Sequence, residues 1–230
     1  MTLDENLDRE ISQKLTVEVA EEPEALTLSV KSPDEVETVI KTPIINPHEA
    51  QPPYELKRPV FFVGFMVAGK TSVSRNLARA CGIPTIDLDA YIERREGKAI
   101  NQIFAEVGDA GFRLIETDVL REFAEGEPML VSCGGGIVLR EENRDIIRKD
   151  GCCVYLQVTA EEAARRIGDV STRPNFKDLD TARTTIANRL PMYEDVANIS
   201  VDTVGKSINA VANEVRIALE EAGVLCQVQG

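Results

Sequence analysis

The sequence predicts an α/β fold in three layers, a parallel five-stranded sheet flanked by helices on both faces. Three observations lead there. From Pro59 onward, short apolar stretches alternate with helical ones, and strands separated by helices need the crossovers that make a sheet parallel. The 43% hydrophobic content of the 230 residues supplies a full core for one ordinary domain plus an appendage. Finally, the first strand runs into Gly64-Phe-Met-Val-Ala-Gly69-Lys70-Thr71, a loop of the pattern G-x-x-x-x-G-K-[ST] that opens a helix.

Composition changes near residue 58. Residues 1–58 hold 13 Asp or Glu against 6 Lys or Arg, a net charge of −7, together with Pro23, Pro33, Pro43, Pro47, Pro52 and Pro53. Acidity and proline predict a largely disordered or loosely attached extension. Its alternating pieces, residues 15–19 and 26–30, suit a strand or two, and a partner for the extension is an open expectation. The domain follows at 59–222, and 223–230 is a short tail.

Pro59–Val63 reads as a buried strand. The loop after it aims backbone N–H groups at one point, and the helix over 72–81, which stops at Gly82, adds its dipole there. Val67, Ala68, Gly69, Lys70, Thr71 and Ser72 thus form a nucleotide-phosphate site, with Lys70 on the outer phosphates and Thr71 on magnesium. Residues 83–87 read as the second strand, and helices follow around 89–96, 100–107 and 109–125. A third strand over 128–133 ends in Gly134-Gly135-Gly136. A helix near 141–149, a strand over 152–158 and a helix near 160–167 lead to a polar connector, 168–179. A helix near 180–196, a strand over 198–202 and an amphipathic helix over 205–222 complete the domain.

Charge and cysteine usage narrow the function. A net charge of −13 argues against nucleic acid or anionic membrane as partners. No apolar run approaches the ~20 residues that span a bilayer, and the acidic start lacks a signal peptide. Cys81, Cys133, Cys152, Cys153 and Cys226 follow no metal-ligand spacing, which suits reduced thiols in a cytoplasmic protein. The single histidine, His48, lies outside the domain, so histidine catalysis is excluded.

Four further features carry chemistry. Asp87 and Asp89, two apart at a strand end, can both look into the crevice at the carboxyl ends of the strands; taken alone, the spacing fits a helix N-cap at Asp89 with a solvated neighbour better. Arg113 and Glu116 share a helix face, as a prepared fork for a carboxylate or as a plain surface ion pair. Three successive glycines cost folding entropy, so the backbone at 134–136 is expected to approach something closely. Arg165, Arg166, Arg173 and Arg189 cluster in the last third, and Arg173 sits where a mobile connector brings a cation over phosphates.

Taken in order, Gly64-Phe-Met-x-Ala-Gly-Lys70-Thr71, Asp87-x-Asp89, Gly108-Asp-x-x-Phe112-Arg113-x-x-Glu116, Gly134-Gly-Gly136, Arg173-Pro174 and Arg189-x-Pro191-x-Tyr193 resemble the signatures of shikimate kinases, over about residues 59–222. The resemblance implies a P-loop kinase with a mobile lid that phosphorylates the 3-hydroxyl of shikimate with ATP and Mg2+, in aromatic amino acid biosynthesis. It implies that Lys70, the loop amides, Arg166 beside adenine and lid Arg173 hold ATP, and that Thr71 holds the metal directly, with Asp87 reaching it through a bound water. Asp89 would act on the attacking hydroxyl, Arg113 and Arg189 would clamp the carboxylate, and Gly135 would add backbone contacts; Lys70, Asp89 and Arg173 are the catalytic set. The chain departs from the family at Val67, where a glycine is usual, in the lid Arg173-Pro-Asn-Phe176, and at Asp109. A monomeric enzyme is expected. The alternatives are a kinase for another hydroxy acid such as gluconate, and a non-enzymatic sensor or interaction module.

Overall fold

The structure, a computed structural model, describes residues 25–31, 37–43, 54–167 and 178–228. The chain divides into two units, residues 1–51 and 52–230. In the first, strands β1 (Ala25–Lys31) and β2 (Glu37–Pro43) pair antiparallel, with Ala25 opposite Pro43. The piece at 26–30 lies in β1, whereas the piece at 15–19 lies outside the described residues.

The second unit begins with β3 (Tyr54–Leu56) and β4 (Val60–Val63). Then come α1 (Lys70–Cys81), β5 (Thr85–Asp87), α2 (Leu88–Glu96), α3 (Ile100–Glu125), β6 (Leu130–Ser132) and a 3-10 turn at Ile137–Leu139. The chain continues with α4 (Glu141–Asp150), β7 (Cys152–Gln157), α5 (Ala160–Ile167), α6 (Leu179–Val196), β8 (Ile199–Asp202), α7 (Ile208–Glu221) and β9 (Leu225–Gln227). Five strands form the main sheet in the order β5-β6-β4-β7-β8, every pair parallel. The first strand after the composition change is therefore central, and the loop that follows it opens at the middle of the sheet's carboxyl edge.

Side chains alternate across the sheet and divide the core in two. Val60 and Phe62 join Val73 and Leu77 of α1 and Val215 and Leu219 of α7. Phe61 and Val63 join Leu88 and Ile92 of α2, Val119 and Leu120 of α3, and Tyr193 of α6. All four β4 side chains are fully buried, each worth about 1.5–3 kcal/mol of burial. A strand buried on both faces must be apolar at every position, which is why these segments read as continuous hydrophobic runs.

Within α3, Gly108 takes φ 70 and ψ −179, which breaks the helical backbone there. The run is thus two helical pieces, as its sequence suggests, and the second carries Arg113 and Glu116. A small antiparallel sheet has no counterpart in the sequence reading: β3 pairs with β9, Tyr54 opposite Gln227. These strands fall in the segments assigned to the extension and the tail. They are held by burial of Leu56, Val224 and Leu225 in the α1–α7 core, a pairing of remote segments. Among the described residues no helix is long and apolar enough to cross a membrane. Residues 168–177 of the connector, which include Arg173 and the expected lid, lie outside the described residues, and its last two residues cap and begin α6.

Candidate active site

The phosphate loop owes its shape to two glycines and one strained residue. Gly64 has φ 143, and a Cβ there would stand 2.5 Å from the Leu156 carbonyl oxygen on β7, so no side chain fits. Gly69, at φ 96, caps α1. Between them Val67 takes φ 54, a left-handed conformation that costs a β-branched residue about 1–3 kcal/mol. The valine at 67, where a glycine is usual, thus falls where glycine's freedom is needed. Lys70 Nζ donates to the Gly64 and Phe65 carbonyls at 2.9 and 3.0 Å, which folds the side chain back over the loop.

Thr71, in the first turn of α1, ties the ends of β5 and β6 together. Its hydroxyl donates to Asp87 Oδ2 at 2.6 Å and lies 3.0 Å from Ser132 Oγ. A hydroxyl carries one proton, so Ser132, at the end of β6, is the donor to Thr71. Asp87 is itself the N-cap of α2, where Oδ1 accepts from the Ala90 amide at 3.1 Å. This corrects the expectation of two carboxylates side by side on extended chain. Asp87 ends the strand, Asp89 sits in the first helical turn, and both face one cleft because the chain turns between them.

Asp89 is open to solvent in that cleft, yet protein atoms crowd it. That desolvation, and next the charge of Asp87, raise its pKa, against the pull of Lys70 and Arg113. Burial likewise raises Glu116, opposed by Arg113. Arg113 Nη1 donates to Glu116 Oε2 at 2.7 Å, and its Nε, 3.5 Å from Asp109, is buried with no hydrogen-bond partner. The guanidinium also rests near the rings of Phe104 and Phe112, 5.9 and 5.2 Å from their centroids. A pair this buried is no surface ion pair.

The three glycines are explained by what lies against them. A Cβ at Gly134 would stand 2.8 Å from Asp89 Oδ1 and 3.1 Å from Glu116 Oε1, and one at Gly136 would stand 2.7 Å from both Arg113 amino groups. The Gly135 carbonyl accepts from Arg189 Nη1 at 3.0 Å and from Tyr193 hydroxyl at 2.6 Å. Burial pushes the Tyr193 phenol up to about 12, so it stays a donor. The bare strip therefore sets Arg113 and Arg189 around one backbone segment, with Asp89 beside it.

At the other end, Arg166 is tied on three sides. It donates to Glu162 Oε1 at 2.8 Å, to the Val67 carbonyl at 3.2 Å, to Thr203 Oγ1 at 3.1 Å and to the Thr203 carbonyl at 2.6 Å. Hydrogen bonds from Arg165, then from Arg166, hold the Glu162 carboxyl at about 2; Arg165 itself is largely exposed. A cleft of about 680 Å³ joins the two ends, lined by the phosphate loop, Asp87, Asp89, Ser132, Gly135, Arg166, Thr203 and Lys206. Ser132, Glu162, Thr203 and Lys206 were not singled out by sequence reasoning. They are single polar residues at strand ends, in a helix or in a short connection, with no spacing to mark them.

The donor set suits magnesium held chiefly by phosphates and water. Thr71 and Asp87 offer hard oxygens beside the loop, and among the described residues no group of three or more His, Cys, Asp or Glu could hold a metal alone.

The chain resembles known proteins over this unit. A family model for shikimate kinase matches residues 66–220. A shikimate kinase of Geobacter metallireducens is 42% identical over 71% of this chain and 92% of its own length, and one of Dehalococcoides mccartyi is 37% identical over 72% and 95%. Among solved structures, shikimate kinase from Acinetobacter baumannii in complex with shikimate is similar with a TM-score of 0.67 at 31% identity, covering 72% of this chain and 94% of that one.

Proposed function

The chain belongs to the shikimate kinase family, and from that premise we propose that it transfers the γ-phosphoryl group of ATP to the 3-hydroxyl of shikimate. The single observation that carries this reading is the glycine strip, with Arg113 and Arg189 set around it and Asp89 beside it. A carboxylate held by the two arginines presents a ring hydroxyl to Asp89, across the cleft from Lys70.

Asp89 accepts the hydroxyl proton, or directs it, as the oxygen attacks the γ-phosphorus. An O–P bond forms, the bond to the β,γ-bridging oxygen breaks, and ADP leaves with that electron pair. The raised pKa of Asp89 brings it nearer to that of a useful base at neutral pH. Lys70 and the amides of residues 67–72 cradle the phosphates, and Lys70 leaves the loop carbonyls to do so. Thr71 directly and Asp87 through water would hold magnesium, which neutralises phosphate charge. The hydrogen-bonding edges of Arg166 are engaged by protein, so its flat face is what it offers the adenine ring. Arg173 lies outside the described residues, and its role on the phosphates is carried by the family resemblance alone.

The enzyme is proposed to work as a cytoplasmic monomer. All five cysteines are free, in keeping with a reducing compartment. A coupled ADP-release assay with shikimate, quinate and gluconate in parallel tests the function. ADP release with shikimate far above the other two is expected; equal rates, or gluconate preferred, would refute it.

A further inference from the structure

Two residues behind the glycine strip, away from the cleft lining, have no part in the scheme above. Thr117 and Asn143 are both buried, at 2% and 0% exposure. Thr117 stands one turn beyond Arg113 on α3, and Asn143 lies on α4. Thr117 Oγ1 is 2.8 Å from the Arg113 carbonyl and 2.7 Å from Asn143 Oδ1. The hydroxyl has one proton to give. The Arg113 carbonyl is the helical acceptor of the Thr117 amide, whereas Asn143 Oδ1 would otherwise be a buried acceptor with nothing to accept. The proton therefore belongs to Asn143.

The other end of the same amide reaches the strip. Asn143 Nδ2 donates to the Ile137 carbonyl at 2.9 Å, and only the amide nitrogen can serve a carbonyl. Ile137 in turn donates its amide to the Gly134 carbonyl at 3.1 Å, closing the turn that contains the strip. One side chain thus holds both halves of a contact: the helix that carries Arg113, and the glycine turn on which its guanidinium lies. Glu116 fixes the direction of the guanidinium, and both members of the pair pack against the strip, but packing alone lets a helix slide where a hydrogen bond holds it. A buried amide and hydroxyl cost desolvation that an apolar pair of the same shape avoids, so what they add is register.

We propose that Thr117 and Asn143 are positioning residues for the carboxylate clamp, setting Arg113 at the height over Gly134–Gly136 that the acceptor's carboxylate requires. The inference rests on the proposed function and deepens it. It predicts that the link governs recognition of the carboxylate and leaves nucleotide binding alone.

The test compares wild type with Thr117→Val, which keeps the shape and loses the hydroxyl, and with Thr117→Ser, which keeps the hydroxyl. The readout is kcat/KM for shikimate relative to its methyl ester, which lacks the negative charge, with calorimetric binding of shikimate and of ATP on the same proteins. Thr117→Val should lower the preference for shikimate over the ester by ~10-fold or more, the scale on which misplacing a group costs rate. Shikimate affinity should fall in parallel, ATP affinity should stay unchanged, and Thr117→Ser should retain the preference. Should Thr117→Val not fold, Thr117→Ala takes its place with the same expectations. A folded variant that loses shikimate and ester by the same factor, or loses neither, would overturn the inference while leaving the kinase standing. Wild type that neither binds nor phosphorylates shikimate would remove the proposed function, and this inference with it.

Discussion

Asp89 and Val67 are held by the fold against their own preferences, for opposite reasons. Crowding and the Asp87 charge lift the Asp89 pKa above 3.8, so the folded chain holds that proton more tightly than the unfolded chain does. The stability linked to it is complete below 3.8 and is lost as pH rises through the higher native value. Charged Asp89 therefore destabilises the unliganded protein at neutral pH. Asp89→Asn should cut kcat by ~10²–10⁴ and raise the melting temperature, by an amount that grows from acidic to neutral pH. Activity close to wild type would remove Asp89 from the chemistry. At Val67 the strain is in the backbone, φ 54. Val67→Gly relieves ~1–3 kcal/mol and gives back ~0.5–1 kcal/mol of unfolded-chain entropy. Strain is the larger effect, and a gain of roughly 1 kcal/mol in denaturant unfolding is expected. A loss of stability would mean that packing of the valine side chain outweighs its backbone.

Among the elements, the β3–β9 pair decides where the kinase unit begins. Composition changes at residue 58, but Leu56 and Leu225 face each other across a strand pair that starts at Tyr54. The Lys57 amide also donates to the Val224 carbonyl at 2.9 Å. A chain starting at residue 52 should keep the melting temperature of the kinase unit. One starting at residue 58 loses β3 and uncovers Val224 and Leu225, a cost of about 3 kcal/mol or more at ordinary burial values. Thermal unfolding of the two truncations distinguishes them, and equal midpoints would show that the small sheet contributes little. The break at Gly108 works at the same scale: it starts a new helical piece ahead of Arg113, while Phe104 of the preceding piece stacks on Phe112 and rests near the guanidinium.

Across the whole molecule, one cleft joins two kinds of recognition. Arg166 and Thr203 lie at one end, while Asp89, Arg113 and Arg189 gather around the glycine strip at the other. Arg113→Ala and Arg189→Ala should each weaken shikimate binding by ~2–4 kcal/mol, the range for removing one partner of a desolvated charge pair, with ATP binding little changed. Arg113→Ala also leaves Glu116 buried without its cation, so that variant should lose the more stability. Separate calorimetric titrations of the two ligands check this, and a loss of ATP affinity at Arg189→Ala would break the division. Arginines concentrated in the site also explain how so acidic a chain, at −13, receives two anionic substrates.

What the sequence by itself determined was local. A buried strand is apolar at each position, a helix shows its 3.6-residue period, and a phosphate loop spells its own glycines, so the parallel sheet, the loop and the candidate residues were legible in order. Only the tertiary structure decided which distant groups meet. Thr71 with Ser132, Arg166 with Val67 and Thr203, Gly135 with Arg189 and Tyr193, and Thr117 with Asn143 are pairs that no spacing records. β3 and β9, at opposite ends of the kinase unit, belong with them. Such pairs depend on the crossovers that bring remote strand ends to one edge of the sheet. A side chain's periodicity reports the face it buries, whereas its hydrogen-bond partner is set by where the rest of the chain has gone.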